Sequence, residues 1–87
     1  MNSAQIASII GFMAAGLGIV MFLPQAIRVW RTKDTKSISL ASFLLLDFSS
    51  LLWTTYGLLL GAAPIILVNV VLLILSTFIV AMKIKYG

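Results

Sequence analysis

Asp47 is one of two acidic residues in this 87-residue chain, and it lies within an apolar run. Counted from residue 38, where that run begins, it is about nine residues in, roughly 13 Å at helical rise. A carboxylate at that depth is costly, so it marks either function, as a proton carrier or polar site, or a hydrogen-bonded pin between helices. Trp53 and Asn69 form a second constellation. Counted inward from residues 61–63 they lie about seven and five residues deep, which places them within a few ångströms of one height at ~1.5 Å per residue. An indole face stacks on the apolar C–H side of a ring, and an Asn amide offers donors and acceptors to hydroxyls. An apolar pocket with a few placed polar groups is what a small-molecule site needs. Singly, Trp53 reads equally as a lipid-facing tryptophan and Asn69 as an interhelical hydrogen bond; the matched depth favours a pocket. Tyr56 is one turn outward from Trp53, placed either to close an outer mouth or to sit in an interfacial aromatic belt. Trp30, beside Arg31, reads as a belt residue.

These residues are positioned by three apolar runs, residues 6–27, 38–60 and 64–82. Each is long enough to cross a hydrocarbon core of about 30 Å. With the flanking residues included, the expected helical spans are about 6–31, 38–60 and 64–83. Hydrophobic residues make up 62% of the chain, charged residues 9%, and mean hydropathy is +1.20. No soluble fold of this length has interior enough for that much apolar surface, so lipid is the solvent for most side chains. The expected fold is an all-α, single-domain membrane protein with three transmembrane helices.

Local signals refine the spans. Gly11/Ala15 and Ala14/Gly18 are each four apart and offer a helix face that another backbone can approach. Pro24 lacks a donor and crowds the carbonyl of Val20, which predicts a kink near that end of the first helix. Residues 32–37 are a polar loop in which Thr35 or Ser37 is placed to cap the second helix. Gly61-Ala62-Ala63 reads as a tight turn, with Pro64 opening the third helix. Asn69, Ser76 and Thr77 interrupt an aliphatic run at spacings of seven and eight, which puts them on one face.

All six basic residues fall on one side of this threading: Arg28, Arg31, Lys33 and Lys36 between the first two runs, Lys83 and Lys85 after the third. The positive-inside bias then puts loop 28–37 and the C-terminus in the cytoplasm and the N-terminus outside. The net charge of +4 belongs to span ends and implies no nucleic-acid partner; membrane lipid is the expected partner of these residues. The first run lacks a basic leader and is too long for a signal peptide. With no cysteine or histidine, zinc, haem, iron–sulfur and disulfide chemistry lack their usual ligands, and no cofactor or metal site is expected. Two carboxylates without His or Cys leave no acid–base machinery for an enzyme. Three helices are too few to enclose a path. Two copies with the same charge bias insert the same way up, giving a two-fold axis along the membrane normal.

Phe22-Leu23-Pro24-Gln25 carries the Pro-Gln signature of the PQ-loop and MtN3 group, and residues 28–39 resemble the loop that follows it. Trp53-Thr54-Thr55-Tyr56-Gly57 and Pro64-Ile65-Ile66-Leu67-Val68-Asn69 resemble the rest of a bacterial SemiSWEET sugar transporter, over about residues 11–82. The resemblance implies a parallel homodimer of three-helix bundles packed in the order one, three, two. It moves sugars by alternating access, in a prokaryotic inner membrane. Parallel repeats of this kind are a known feature of SWEET transporters. The resemblance also implies that Trp53 and Asn69 line the central pocket, that Pro24 and Gln25 form a hinge and inner gate, and that Tyr56 belongs to the outer gate. The outer turn Leu60-Gly61-Ala62-Ala63 departs from relatives that place charges there, so any outer gate is apolar and aromatic. Asp47-Phe48 looks more like the PQ-loop transporters of organelles, where an acidic residue on this helix takes part in proton coupling.

Three functions follow. The first is a facilitative transporter of mono- or disaccharides. The second is a proton-coupled transporter of another small polar solute, such as an amino acid, with Asp47 as carrier. The third is a small structural or pore-forming membrane protein, against which Trp53, Asn69 and Asp47 at membrane depth all stand.

Overall fold

A computed structural model describes all 87 residues as three helices: α1 (Ser3–Thr32), α2 (Leu40–Leu60) and α3 (Ala63–Tyr86). Each is long and apolar enough to cross a membrane. α1 starts on a reciprocal cap: the Asn2 side chain accepts from the Gln5 amide at 2.8 Å, and the Gln5 side chain accepts from the Asn2 amide at 3.0 Å. It runs unbroken through Pro24. It ends at Lys33, whose left-handed backbone (φ 56°) returns its amide to the Val29 carbonyl. α2 is capped by Ser39, which accepts from the Ser42 amide at 3.2 Å. Neither Thr35 nor Ser37, the expected caps, does this, because the helix begins at Leu40.

The turn between α2 and α3 is built by Gly61. Its φ of 69° lies in the left-handed region that glycine enters without penalty. The Ala62 amide then reaches back to the Gly57 carbonyl at 2.8 Å. α3 begins at Ala63, one residue before Pro64, which still occupies its first turn.

α3 packs along both α1 and α2. Close approach is possible because glycines face it. A Cβ on Gly11 would lie 3.0 Å from Pro64 Cβ and Cγ, and one on Gly18 would lie 3.4 Å from Val68 Cγ2. Ala15 is buried between them in sequence. The small-residue face of α1 is therefore Gly11, Ala15 and Gly18, spaced i, i+4, i+7; Ala14, expected to share it, is exposed. At the end of the bundle that carries the basic residues, the 33–39 loop is fastened to α3. Lys83 Nζ donates to the Thr35 carbonyl at 2.9 Å, and Lys33 lies over the Tyr86 ring. Phe22 of α1 and Phe43 of α2 meet edge-on there, centroids 6.1 Å apart.

Only 10 of 87 residues are buried. A protomer of 49 × 22 × 14 Å is a thin slab whose apolar faces require lipid or another protein surface.

Candidate functional site

One open face of α2 carries the aromatic residues. Leu45, Phe48, Ser49, Leu52, Trp53 and Tyr56 recur at helical spacing and line a groove of about 660 Å³. Trp53 and Tyr56 are three apart and so stack along the helix. Their rings stand edge to face at 88° with centroids 5.5 Å apart, a favoured aromatic geometry. Both are half exposed, Trp53 at 51% and Tyr56 at 49%. The Ser49 and Tyr56 hydroxyls and the Trp53 indole N–H are the polar groups in a lining otherwise made of hydrocarbon. Thr54 and Thr55 turn their hydroxyls back to the Ser50 and Leu51 carbonyls.

Asn69 is half buried on α3. Its amide nitrogen donates to the Ile65 carbonyl one turn earlier at 2.8 Å. That bond fixes the side chain and leaves the amide oxygen as its acceptor. Trp53 and Asn69 do not line one groove within a single protomer. Trp53 and Tyr56 do.

Asp47 faces α3. One carboxylate oxygen accepts from the Ser76 hydroxyl, and the other accepts from the Thr77 hydroxyl at 3.2 Å. Ser76 is fully buried. The three polar residues of α3 thus divide: Ser76 and Thr77 answer Asp47, whereas Asn69 answers its own helix. Sequence reasoning placed Ser76 and Thr77 on one face but did not pair them with Asp47. The available signal was depth: Asp47 lies about thirteen residues in from the Gly61 turn, and so do Ser76 and Thr77.

Pro24 is exposed on the far side of α1, where it lines a separate groove with Val20, Leu23 and Ile27; Gln25 beside it is exposed as well. Leu45 and Leu52 do not stand out from the sequence, and Phe48, notable there beside Asp47, is not placed with Trp53. Their spacing around Trp53 was the signal.

Comparison with known proteins gives the family. The family model for MtN3, described as a sugar efflux transporter for intercellular exchange, matches residues 8–87. The chain is 43% identical over 79 residues to a sugar transporter SemiSWEET of Bradyrhizobium diazoefficiens, covering 91% of this chain and 92% of that protein. It is 42% identical over 80 residues to a SemiSWEET of Leptospira biflexa, covering 92% and 94%. Among solved structures it matches a bacterial homologue of SWEET transporters with a TM-score of 0.88 and 36% identity, over 94% of this chain and 99% of that one. These relatives are named as transporters, not enzymes. A three-helix membrane protein with this match over nearly its whole length belongs to the MtN3 family of sugar transporters, alongside the SemiSWEETs.

Proposed function

We propose that the chain is one half of a facilitative sugar transporter, working by alternating access as a parallel homodimer in a prokaryotic inner membrane. The observation that carries this reading is the open aromatic face of α2. Trp53 and Tyr56 are half exposed at membrane depth on a protomer too thin to enclose a path. A two-fold axis along the membrane normal brings two such faces together, with Asn69 of each copy supplying an amide at nearly the same height. The indoles stack on the ring C–H face of a mono- or disaccharide, and amides and hydroxyls satisfy its oxygens. Pro24, with Gln25, is the hinge of the inner end, since the missing amide leaves the Val20 carbonyl without its helical donor. Tyr56 closes the outer end. The basic loop and the C-terminus face the cytoplasm.

Asp47 acts as a pin in this reading rather than a proton carrier. Both its oxygens are engaged by hydroxyls of α3, so it fastens α2 to α3 within one protomer. Such bonds in membranes average about 0.6 kcal/mol each. Asp47→Asn keeps size and one acceptor. The expected result is sugar flux within about threefold of the parent, since ~0.6 kcal/mol is a factor of about three. An imposed proton gradient changes neither protein's flux. The assay is counterflow in proteoliposomes across a sugar panel, with and without a pH gradient. Gradient-driven accumulation in the parent that Asp47→Asn abolishes would instead establish the proton-coupled reading. Ion leakage without sugar counterflow would establish the pore-former.

A further inference from the structure

The groove that contains Pro24 is separate from the aromatic face of α2. It measures about 690 Å³, and its floor is Val20, Leu23, Pro24 and Ile27, with Arg28 and Arg31 at its inner end. By helical spacing it lies on the side of α1 opposite the buried Ala26 and Val29, and therefore away from α3. From Val20 to Arg31 it runs roughly 16 Å, the reach of an extended acyl chain of about a dozen carbons.

Its charge is uncompensated. The chain has two acidic residues, Asp34 and Asp47. Asp47 is engaged by Ser76 and Thr77, and Asp34 accepts from the Lys36 backbone amide at 3.2 Å. Neither lines the groove. The nearby Thr32 hydroxyl is already occupied: it donates to the Arg28 carbonyl at 2.8 Å and accepts from the Asp34 amide at 3.2 Å. Arg28 and Arg31 are three apart and so project from one face of the helix, at the end of an apolar trough that enters the bilayer. Guanidinium pairs bind phosphate oxygens in a fork geometry.

We propose that this groove is a binding site for one anionic phospholipid. The phosphate sits on Arg28 and Arg31, and one acyl chain lies along Val20, Leu23 and Ile27 against the Pro24 ring. The apolar floor selects a lipid over free phosphate. Because the chain rests on Pro24, occupancy bears on the segment of α1 that has lost a helical hydrogen bond. The site does not depend on which solute the protein carries.

Native mass spectrometry of the purified full chain with dioleoylphosphatidylglycerol or dioleoylphosphatidylcholine tests this. A basic residue near an anionic surface is worth roughly a factor of five in affinity, so two give a preference of roughly twentyfold for phosphatidylglycerol. The double variant R28Q/R31Q loses that preference. The variant K36Q/K85Q, which removes the same charge elsewhere on the same membrane face, keeps it. Inorganic phosphate at matched ionic strength does not displace the lipid. Equal loss in both double variants would show general surface attraction and overturn the site. So would displacement by phosphate. A shift in the monomer–dimer equilibrium of R28Q/R31Q, with lipid preference intact, would assign this face to a second copy of the chain and overturn it as well.

Discussion

Trp53→Ala lowers sugar counterflow by at least about thirtyfold, the equivalent of ~2 kcal/mol for one anchoring aromatic. The reason is chemical and geometric. Of the groove-lining residues, Trp53 presents the largest flat π face, and it is held upright by Tyr56 at 5.5 Å. Sugars are recognised by stacking on one face and hydrogen bonding at the edge. Removal of the indole deletes the stacking half in both copies of the proposed dimer. Because Trp53 is 51% exposed in the protomer, its loss leaves no core cavity, and the variant inserts and unfolds like the parent. Trp53→Phe restores part of the flux, since it keeps an aromatic face of smaller area. Flux retained in Trp53→Ala would remove the pocket assignment while leaving the fold untouched.

Gly57→Val destabilises the protomer by about 2 kcal/mol, within the usual range for forcing extra methyl groups into a filled contact. A Cβ at this position would lie 3.0 Å from Ile66 Cγ1, 3.1 Å from Ile65 Cγ2 and 3.3 Å from the Ile66 backbone nitrogen. The two side chains can shift a little; the backbone nitrogen moves only if α3 moves. The Gly57 carbonyl also accepts the Ala62 amide, so displacing α3 disturbs the outer turn at the same time. Gly16→Val is the matched control. Nothing lies within 4 Å of a Cβ there, so it costs only intrinsic helix propensity and lipid-side effects. Unfolding titrations in detergent micelles distinguish the two. Equal stability would mean that α2 and α3 are not in contact at Gly57.

Much of the fold is legible in the residues. Apolar runs of bilayer length set three spans, Gly61 and Pro64 mark the outer turn, and the positions of Lys and Arg set the expected threading. Helix ends shift by a few residues because polar flanks such as Asn2-Ser3 carry caps that hydropathy does not register. The aromatic site is half legible. Counting along a helix gives depth, which is why Trp53 and Asn69 stand out together. It does not give rotation about the helix axis. α3 is aliphatic apart from the face that carries Asn69, Ser76 and Thr77, so hydropathy alone does not say which neighbour that face meets. Depth matches Ser76 and Thr77 to Asp47, and packing completes the pairing. The same holds for the small-residue face of α1, where Gly18 and not Ala14 completes the contact with α3.

The inner loop illustrates a second reason. Thr35 is 2% exposed despite lying in a polar segment, because Lys83 reaches its carbonyl from the far end of the chain. Local pattern reads Thr35 as a helix cap; α2 instead begins at Leu40 on Ser39, and the Thr35 carbonyl receives Lys83 from 48 residues away.

In the proposed dimer one site is shared by two copies, each contributing Trp53. Co-expression of parent and Trp53→Ala chains at known ratios, followed by reconstitution and counterflow, tests it most directly. A site needing both indoles is active only in parent–parent dimers. With equal amounts of each chain and random pairing, flux then falls to about a quarter of the parent value. A fall to about half, in proportion to the parent chains present, would mean that each protomer carries a site of its own and would overturn the shared site.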